Sequence, residues 1–466
     1  MRMTITDNRE LVREIEKVLT RKMPVRLGVN KKNELVRLFY EICRANDDAP
    51  SDVMEQAGVE RLAEDGKGEL FHRVKSSLLA LRYPTMGPHD DPHIMPVAID
   101  TAFEECPVWD FELSSRRIFI EKSISGDKWT KNFLRNFPEA EIREINDLKD
   151  GLRDLPAKDP VLKYNTRREN IFLVRNKSSF IKICPCTKGY KRCGYWILNL
   201  GFGCPIDCSY CYLQIYSNTP GIVLPANIEE YYTHILEFDA GLSSRTRIGT
   251  GEFTDSLALD SYTGYSSCLI PFFGRAKNLV LELKTKIGDL DNVLKEEPND
   301  NVVISWSVNT PKIAGEYEKG GAAMPERLKA AEEAARRGYK VGFHFDPVVS
   351  YPGWEADYKE TVDDMFSREI LKKNTAWVSI GTLRFVPAFK QVVERRFGGN
   401  LMFYQAEFFM DTDGKLRYPR RFRIDMYNKM VKWINAHDIS GWIYLCMEPE
   451  EVWKETPLKQ WEYAGR

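Results

Sequence analysis

Three cysteines lie close together near the middle of the chain, at Cys204, Cys208 and Cys211 in the run GCPIDCSYCY. A four-iron cubane that only carries electrons usually receives four protein thiolates, whereas this C-x3-C-x2-C spacing supplies three from one short loop. The fourth iron is then left for another ligand, and the amino and carboxylate groups of S-adenosylmethionine (SAM) suit it. The spacing therefore predicts a 4Fe–4S cluster that cleaves SAM to a 5′-deoxyadenosyl radical, with the cofactors carrying the hard chemical step.

Zinc is the main alternative for these three thiols. A zinc site normally has four ligands in two separate pairs, and no such pair of Cys or His follows Cys211. Buried cysteines are common in protein cores, but packing alone does not explain three within eight residues on a loop that contains Gly201, Gly203 and Pro205. The cluster is the favoured interpretation.

Length and composition restrict the class of protein. The 466 residues are enough for two or more domains, and 67 basic against 68 acidic residues give the whole chain no preference for polyanions. No apolar run approaches the roughly 20 residues of a membrane span, and no signal peptide opens the chain. We expect a soluble cytoplasmic protein whose ten cysteines bind metal or are buried rather than form disulfides.

From about residue 195, short apolar runs alternate with helical patterns, as in parallel strands joined by crossover helices. The clearest helix is Pro325–Arg337, which ends at Gly338. The six predicted strands are Tyr195–Leu200, Arg245–Thr250, Leu279–Lys284, Val302–Val308, Lys340–Asp346 and Ala376–Thr382.

Polar residues follow the predicted strands at or near their carboxyl ends. In parallel α/β barrels this rim is where active sites are built, and the cysteine loop follows the first strand onto the same rim. The candidate site residues there are Glu252, Lys284, Ser307, Asn309 and Asp346.

The segment Gly203–Gln214, with its YCYLQ run, resembles the spore photoproduct lyase family of radical SAM enzymes, as do WSVN at 306–309 and GYKVGF at 338–343. The resemblance extends from about residue 118 to about residue 423. It implies a partial (β/α)6 barrel of the TIM type, a 4Fe–4S cluster on the three loop cysteines, and a reductant such as flavodoxin or ferredoxin. It further places Lys284, Ser307 and Asn309 around SAM, and assigns to Tyr210 and Tyr212 the relay of a hydrogen atom during DNA repair.

One position departs from the family pattern. The lyases donate a hydrogen atom from a cysteine just after the second strand, where this chain has Glu252 or Phe253. Neither side chain replaces a thiol, because a carboxylic O–H bond is too strong to give up its hydrogen atom readily. Gly251-Glu252 is similar instead to the acidic motif by which many radical SAM proteins hold the SAM amino group through a charge-assisted hydrogen bond. A solvated loop acid is the alternative for Glu252.

A second cysteine group, Cys184, Cys186 and Cys193, lies just upstream of the first strand. The matching stretch of the lyases lacks it. These thiols could ligate an auxiliary iron–sulfur cluster or a zinc ion, with Cys268 or Cys446 as a distant fourth ligand. The alternative is a reduced hairpin whose thiols bind nothing.

We expect four segments along the chain. Residues 1–115 form a mainly helical domain with a linker, including helices at Lys31–Ala45 and Glu69–Leu81. Residues 116–194 are a lead-in segment with the extra cysteines, residues 195–390 the barrel, and residues 391–466 a C-terminal hairpin and helical extension.

Asp411-Thr412-Asp413-Gly414 predicts the turn of that hairpin, between Leu401–Phe409 and Leu416–Phe422. Its second arm alternates cations with aromatic residues, which is the combination that binds phosphates and stacks on unpaired bases. The candidate nucleic-acid contacts are Arg417, Tyr418, Arg420, Arg421 and Arg423. A solvated strand edge protected by its charges is the alternative.

Together these features predict a radical SAM enzyme that abstracts hydrogen from a damaged or modified nucleic-acid base. Two alternatives stay open at this point. One is a radical SAM enzyme acting on a peptide or small molecule, and the other is a non-catalytic iron–sulfur protein that binds nucleic acid.

Overall fold

The structure is a computed structural model that describes residues 8–23, 27–58, 67–94, 99, 113, 116–153, 155, 164–177, 180–187, 189–217, 219–398 and 400–458. The chain forms two compact units, each assembled from several stretches of sequence. Unit 1 contains residues 1–106, 349–354 and 382–423, and unit 2 contains residues 107–348, 355–381 and 424–466. The four-segment division made from the sequence stays a prediction.

Unit 1 contains a helical core. Its helices include α1 (Asn8–Lys22), α2 (Val29–Asn46), α3 (Pro50–Gln56) and α4 (Lys67–Arg82). The predicted helices at 31–45 and 69–81 are α2 and α4, and the apolar face predicted for α2 is buried, with Leu35, Leu38 and Phe39 each 0% exposed. Burial of such a stripe is what holds an amphipathic helix in place.

Unit 1 also contains a three-stranded antiparallel sheet, in the order β14 (Arg384–Phe385), β16 (Leu416–Arg417) and β15 (Phe409–Met410), and helix α16 (Pro387–Arg396). Buried ion pairs tie this helix to α2. Arg37 pairs with Glu394, and Lys390 lies 2.5 Å from Glu41. Although burial opposes ionisation, Lys390 and Arg82 lower the pKa of Glu41 to about 2.

Unit 2 contains an eight-stranded sheet curled into a half-barrel. Its strand order is β17 (Trp442–Leu445), β13 (Thr375–Thr382), β12 (Lys340–Val348), β10 (Val302–Ser307), β9 (Leu279–Thr285), β8 (Thr246–Gly249), β5 (Trp196–Leu198) and β4 (Ile181–Ile183). The six strands predicted from the sequence are all present, as neighbours and in chain order. β5, β8, β9, β10 and β12 pair in parallel in that order, β13 pairs in parallel with β17, and β4 is antiparallel to β5.

Helices of unit 2 join these strands, as expected for crossover connections. The predicted helix at 325–337 is Met324–Arg337, and it ends at Gly338 with a φ of 115°. These helices are α8 (Ile228–Ala240), α9 (Asp260–Thr263), α10 (Tyr265–Phe273), α11 (Asp291–Lys295), α12 (Pro311–Tyr317), α13 (Met324–Arg337), α14 (Trp354–Phe366), α15 (Glu369–Asn374) and α17 (Arg420–Asn435). The first residue of α14 and residues 420–423 of α17 belong to unit 1, and α18 (Glu450–Lys454) follows the last strand.

Unit 2 also contains a smaller, four-stranded parallel sheet. Its strand order is β2 (Glu141–Ile145), β1 (Arg117–Glu121), β3 (Asn170–Val174) and β7 (Ile222–Pro225). Helices α5 (Lys128–Leu134), α6 (Leu148–Leu152) and α7 (Leu213–Tyr216), with 3-10 turns at Lys122–Ile124 and Thr166–Glu169, complete this part of unit 2. Short strands β6 (Asp207–Cys208) and β11 (Glu318–Lys319) pair antiparallel beside the cysteine loop.

No helix among the described residues is both long enough and apolar enough to cross a membrane.

Candidate active site

The cysteine loop leaves strand β5 and packs closely against β7. Gly201 and Gly203 both have positive φ values, of 114° and 96°. A Cβ atom at Gly201 would lie 2.3 Å from the carbonyl oxygen of Val223, so only glycine fits there. Cys204 and Cys208 are consequently buried near the sheet, and Cys211 is half-buried.

Two buried arginines hold the backbone of this loop. The Arg167 guanidinium donates hydrogen bonds to the carbonyl oxygens of Cys204 (2.9 Å) and Ile206 (3.2 Å), and pairs with the Asp207 carboxylate at 3.0 Å. Arg168 donates to the carbonyl oxygen of Pro205. Neither arginine was predicted as a site residue, because only the folded chain brings residues 167–168 against residues 204–207.

The three thiols have the chemistry that a 4Fe–4S cluster requires. Burial raises the pKa of Cys204 to about 12 and raises the pKa values of Cys208 and Cys211, and each thiol also lies within electrostatic reach of another. Metal ligation therefore has to release the thiol protons. No three His, Cys, Asp or Glu side chains of the described residues converge on one ion, and cubane thiolates do not converge either, since each binds its own iron. The residues present fit the cluster.

Tyr210 lies inside a buried network of charges. Its hydroxyl contacts the Glu318 carboxylate and accepts a hydrogen bond from the Lys286 ammonium at 3.0 Å. Arg327 pairs with the same carboxylate at 2.6 Å. Burial alone would raise the pKa of Glu318, but Lys286 and Arg327 lower it to about 2. This network fixes β11 against Cys208, the residue that Glu318 faces in the sheet.

Tyr212 stands at the exposed side of the loop. It is 40% exposed, and its hydroxyl donates to the backbone carbonyl (2.6 Å) and the carboxylate (2.9 Å) of Glu252. Tyr216 packs edge-on against it with ring centroids 5.6 Å apart, and is 54% exposed. The structure thus joins two of the predicted site residues, Tyr212 and Glu252, in one hydrogen-bonded pair.

Lys284 joins the same group. Burial lowers its pKa, but the negative charges of Glu252, Glu282 and Asp346 outweigh this effect and raise it above its usual value. Lys284, Glu252 and Asp346 therefore lie close enough to interact. One cation and two carboxylates at the rim match the carboxylate and amino groups of an amino acid.

Ser307 is the last residue of β10 and Asn309 lies two positions beyond it. The side-chain amide of Asn309 is hydrogen-bonded to other parts of the protein. This amide donates to the carbonyl oxygen of Pro347 (3.0 Å) and accepts from the Tyr358 hydroxyl (2.5 Å) and the Thr310 backbone N–H (3.0 Å). Both residues are buried, Ser307 being 8% and Asn309 1% exposed. Asn309 therefore holds neighbouring groups of the rim in place, and its contact with SAM stays a prediction.

Asp255 pins the loop after β8. Its carboxylate accepts hydrogen bonds from the Thr285 hydroxyl (2.7 Å) and the Lys286 backbone N–H (2.7 Å). It also accepts from the backbone N–H groups of Leu257 and Ala258. Asp255 is half-buried, lies two positions after Phe253 and holds in place the loop that carries Glu252. It was not predicted from the sequence.

The predicted hairpin exists in unit 1, but its arms are only two residues long. Pro419 cannot donate a ladder hydrogen bond, and helix α17 begins at Arg420 instead of the strand predicted to run to Phe422. This part of the prediction was wrong.

Three of the predicted nucleic-acid contacts are buried in unit 1. Arg417 pairs with Asp413 (2.7 Å), Arg423 donates to the Tyr418 carbonyl oxygen (2.7 Å), and the Tyr418 hydroxyl accepts from the Ser350 backbone N–H. Their exposed fractions are 1%, 4% and 1% for Arg417, Arg423 and Tyr418. The prediction of nucleic-acid contact therefore narrows to Arg420 and Arg421, whose side chains are exposed.

The family model described as spore photoproduct lyase matches residues 115–419. The chain belongs to this family. Among curated relatives, the spore photoproduct lyase of Clostridium acetobutylicum is 24% identical over 248 residues, covering 53% of this chain and 72% of the relative. The lyase of Bacillus subtilis is 24% identical over 266 residues, covering 55% and 74%.

Solved structures of spore photoproduct lyase share the fold. A complex with dinucleoside spore photoproduct superposes with a TM-score of 0.62 at 20% identity, covering 71% of this chain and 99% of that chain. A C140A/S76C mutant with bound AdoMet and dinucleoside spore photoproduct superposes with a TM-score of 0.61. The partial barrel predicted from the sequence is therefore confirmed, and this family member is a radical SAM enzyme that uses SAM and a 4Fe–4S cluster.

Proposed function

We propose that this spore photoproduct lyase family member abstracts a hydrogen atom from a damaged or modified nucleic-acid base. The observation that carries the proposal is the joining of the Cys204–Cys211 loop, through the Tyr212–Glu252 hydrogen bonds, to the charged group at the rim. When bound, the cluster supplies the electron that cleaves SAM to a 5′-deoxyadenosyl radical. Cys204, Cys208 and Cys211 are its proposed ligands.

The rim residues suit the charged end of SAM. Glu252 and Asp346 offer carboxylates to its amino group, and Lys284 offers an ammonium to its carboxylate. Ser307, at the end of β10, offers a hydroxyl on the same rim. In this proposal Glu252 has a binding role, in place of the thiol hydrogen donor of the family's lyases.

Tyr212 is the proposed donor of the hydrogen atom to the substrate radical. Its phenolic O–H bond breaks as a C–H bond forms on the substrate, and the tyrosyl radical that remains is returned to the phenol by one electron from a flavodoxin or ferredoxin and one proton. Of the two loop tyrosines, Tyr212 is the one whose side chain is 40% exposed, and it lies beside Glu252. A phenolic O–H bond is also weaker than the O–H bond of a carboxylic acid. Tyr210 is held by Glu318 and Lys286 behind the loop. We propose that Tyr210 keeps the loop and Tyr212 in place and takes part in the relay from there.

The exposed rings of Tyr212 and Tyr216 support a nucleobase as substrate. Aromatic rings beside a reactive site stack on unpaired bases, each such contact contributing about 1–3 kcal/mol. Arg420 and Arg421 are proposed phosphate contacts. We further propose a cytoplasmic enzyme that receives electrons from a flavodoxin or ferredoxin.

A peptide or small molecule is the second candidate substrate. It is favoured by the burial of Arg417, Tyr418 and Arg423, which removes three of the five side chains predicted to contact nucleic acid.

Deuterium transfer separates these substrates. Reduced protein is incubated anaerobically with SAM and with ultraviolet-irradiated oligonucleotides deuterated at the thymine methyl and C6 positions. We expect deuterium in the 5′-deoxyadenosine, and a Tyr216→Ala variant with about 10–100-fold weaker oligonucleotide binding than wild type. Tyr232→Ala, which changes an aromatic residue on helix α8, is the matched control. If 5′-deoxyadenosine forms but never acquires deuterium from irradiated or modified oligonucleotides, the nucleic-acid proposal is wrong.

A further inference from the structure

The second cysteine group shows no gathered metal site among the residues that the structure describes. The Cys186 thiol donates a hydrogen bond to the Cys184 sulfur atom at 3.6 Å, and no three His, Cys, Asp or Glu side chains of the described ranges converge on one ion. An auxiliary cluster or zinc ion on Cys184, Cys186 and Cys193, with Cys268 or Cys446 as a further ligand, therefore stays a prediction.

A cavity of about 550 Å³ lies at one edge of the four-stranded parallel sheet of unit 2. Its lining includes a residue at or just beyond the carboxyl end of every strand of that sheet. Glu121 ends β1, Asp147 follows β2, Val174 ends β3 and Pro225 ends β7. Pockets that hold small molecules or cofactors measure about 300–1,000 Å³, so this cavity has the volume for one.

The order of the strands explains why a cavity forms at this edge. β1 lies between β2 and β3, so the chain passes from β1 to β2 on one side, while β3 has β7 as its neighbour on the other side. In open parallel sheets the loops that follow two such strands diverge, and ligands bind in the crevice that is left between them. Residues 175–177, which follow β3, line this cavity together with Glu121.

Glu121 gives the cavity a buried carboxylate, since it is 4% exposed. One of its oxygen atoms accepts hydrogen bonds from the Ser123 hydroxyl (3.0 Å) and the Lys177 ammonium (2.8 Å). The other accepts from the Arg175 backbone N–H at 3.1 Å. A carboxylate has about four lone-pair positions, so the second oxygen can accept one more hydrogen bond. A sugar hydroxyl is a suitable donor because Lys177 already balances the charge.

Two further cations line the cavity. Arg175 pairs with Glu230 at 2.5 Å, and the two side chains are 44% and 39% exposed. Ion pairs at the surface are weak, so this guanidinium can turn to another anion at little cost. Lys149, on α6, is also exposed. Cations of this kind form charge-assisted hydrogen bonds with a phosphate group.

An aromatic ring completes the lining. Phe202 is half-buried and lies with Val223 on the apolar part of the cavity wall. Its ring packs against Phe253 with centroids 5.8 Å apart, and its backbone exchanges two hydrogen bonds with Val223, of 2.9 and 2.8 Å. These contacts hold the ring in place, and a fixed aromatic ring in a cavity that also contains cations can stack on a nucleobase.

We propose that this cavity binds a free ribonucleoside monophosphate. In this proposal the base lies against Phe202, the ribose hydroxyls donate to Glu121, and the phosphate binds Arg175 and Lys149. The described residues proposed to hold SAM, which are Glu252, Lys284 and Asp346, do not line this cavity. The site is therefore separate from SAM, and its assignment does not depend on the substrate of the radical reaction.

Calorimetric titration of the full chain with the common ribonucleoside 5′-monophosphates tests this assignment. We expect at least one of them to bind at a single site per chain. The matching nucleoside, inorganic phosphate and the 2′,3′-dideoxy nucleotide should each bind at least about 10-fold more weakly, because each lacks one of the three contacts. Saturating SAM should leave the Kd of the nucleotide unchanged.

Two variants test the residues themselves. Arg175→Ala should weaken nucleotide binding by about 10–100-fold through loss of a charge-assisted hydrogen bond, and Phe202→Leu by about 5-fold or more through loss of stacking. Arg135→Ala, an exposed arginine after α5, and Phe238→Leu, a half-buried residue of α8, are matched controls that should bind as wild type does. Circular dichroism spectra matched to wild type ensure that each variant is folded.

Four results would overturn the nucleotide site. They are no binding of any of these nucleotides at millimolar concentration, equal affinity for inorganic phosphate, displacement of the nucleotide by SAM, or wild-type affinity in both Arg175→Ala and Phe202→Leu. SAM cleavage is measured on the same wild-type preparation. Cleavage without nucleotide binding would count against this site alone, and nucleotide binding without cleavage would count against the proposed function alone.

Discussion

Replacing Arg167 with alanine is expected to lower the free energy of unfolding by about 3–5 kcal/mol, since it removes a buried cation that pairs with the buried Asp207 carboxylate. Arg167 is 1% exposed and donates to the carbonyl oxygens of Cys204 and Ile206 as well as to Asp207. These contacts are made to the loop that carries the three cysteines. The variant should therefore also lose iron from this loop.

The measurement is the thermal unfolding midpoint of the anaerobic protein, together with its iron content. Arg153→Ala is the matched control, because its side chain is 78% exposed and pairs with Asp150 at the surface. Arg153→Ala should lower the free energy of unfolding by no more than about 0.5 kcal/mol. An Arg167→Ala protein with unchanged midpoint and unchanged iron would show that the loop does not depend on this arginine.

The second large effect is expected on SAM binding. Glu252→Gln preserves the size of the side chain and an oxygen that accepts from Tyr212, but removes the negative charge beside Lys284. Loss of a hydrogen bond to a charged group costs about 1.5–3 kcal/mol, so the Kd for SAM should rise by about 10–100-fold. Equilibrium binding of SAM to the anaerobically reconstituted protein measures this Kd.

Glu237→Gln provides the control for this charge, since Glu237 is an acid on helix α8 whose side chain is 70% exposed. Its Kd for SAM should equal that of wild type. If Glu252→Gln binds SAM as tightly as the control, Glu252 is a solvated loop acid and the amino group is held elsewhere.

Periodicity and spacing were sufficient to predict the partial barrel and the 4Fe–4S cluster, while Cys204, Cys208 and Cys211 as the cluster ligands stay a prediction. Each of the six strands is an apolar run with a distinct end. Lys284 and Asp346 lie near the carboxyl ends of β9 and β12, and Glu252 follows β8, so the parallel strands place all three on one rim. The cysteines could be found because packing alone rarely places three thiols on one short loop that contains glycine. Patterns of this kind involve only residues that are close together in the sequence, so they can be recognised without the folded structure.

The long-range contacts that hold the cysteine loop could not be predicted from local sequence patterns. Arg167 and Glu318 act on the cysteine loop from 37 and 108 residues away, and no local pattern distinguishes them from surface charges. For a related reason, the alternation of cationic and aromatic residues at 415–423 did not reveal which of these side chains are buried. Arg417 is buried because Asp413 compensates its charge, and a sequence does not say which acid a given arginine meets.

The formation of 5′-deoxyadenosine from SAM tests the central claim most directly. The full chain, reconstituted with iron and sulfide and reduced with dithionite without oxygen, is compared with its Cys204→Ala and Cys268→Ala variants. We predict 5′-deoxyadenosine from wild type and Cys268→Ala, and at least about a 1,000-fold lower rate from Cys204→Ala, corresponding to a loss of about 4 kcal/mol. Equal rates from wild type and Cys204→Ala, or no 5′-deoxyadenosine from a wild-type protein that carries its iron, would contradict the assignment of this loop as the site of SAM cleavage.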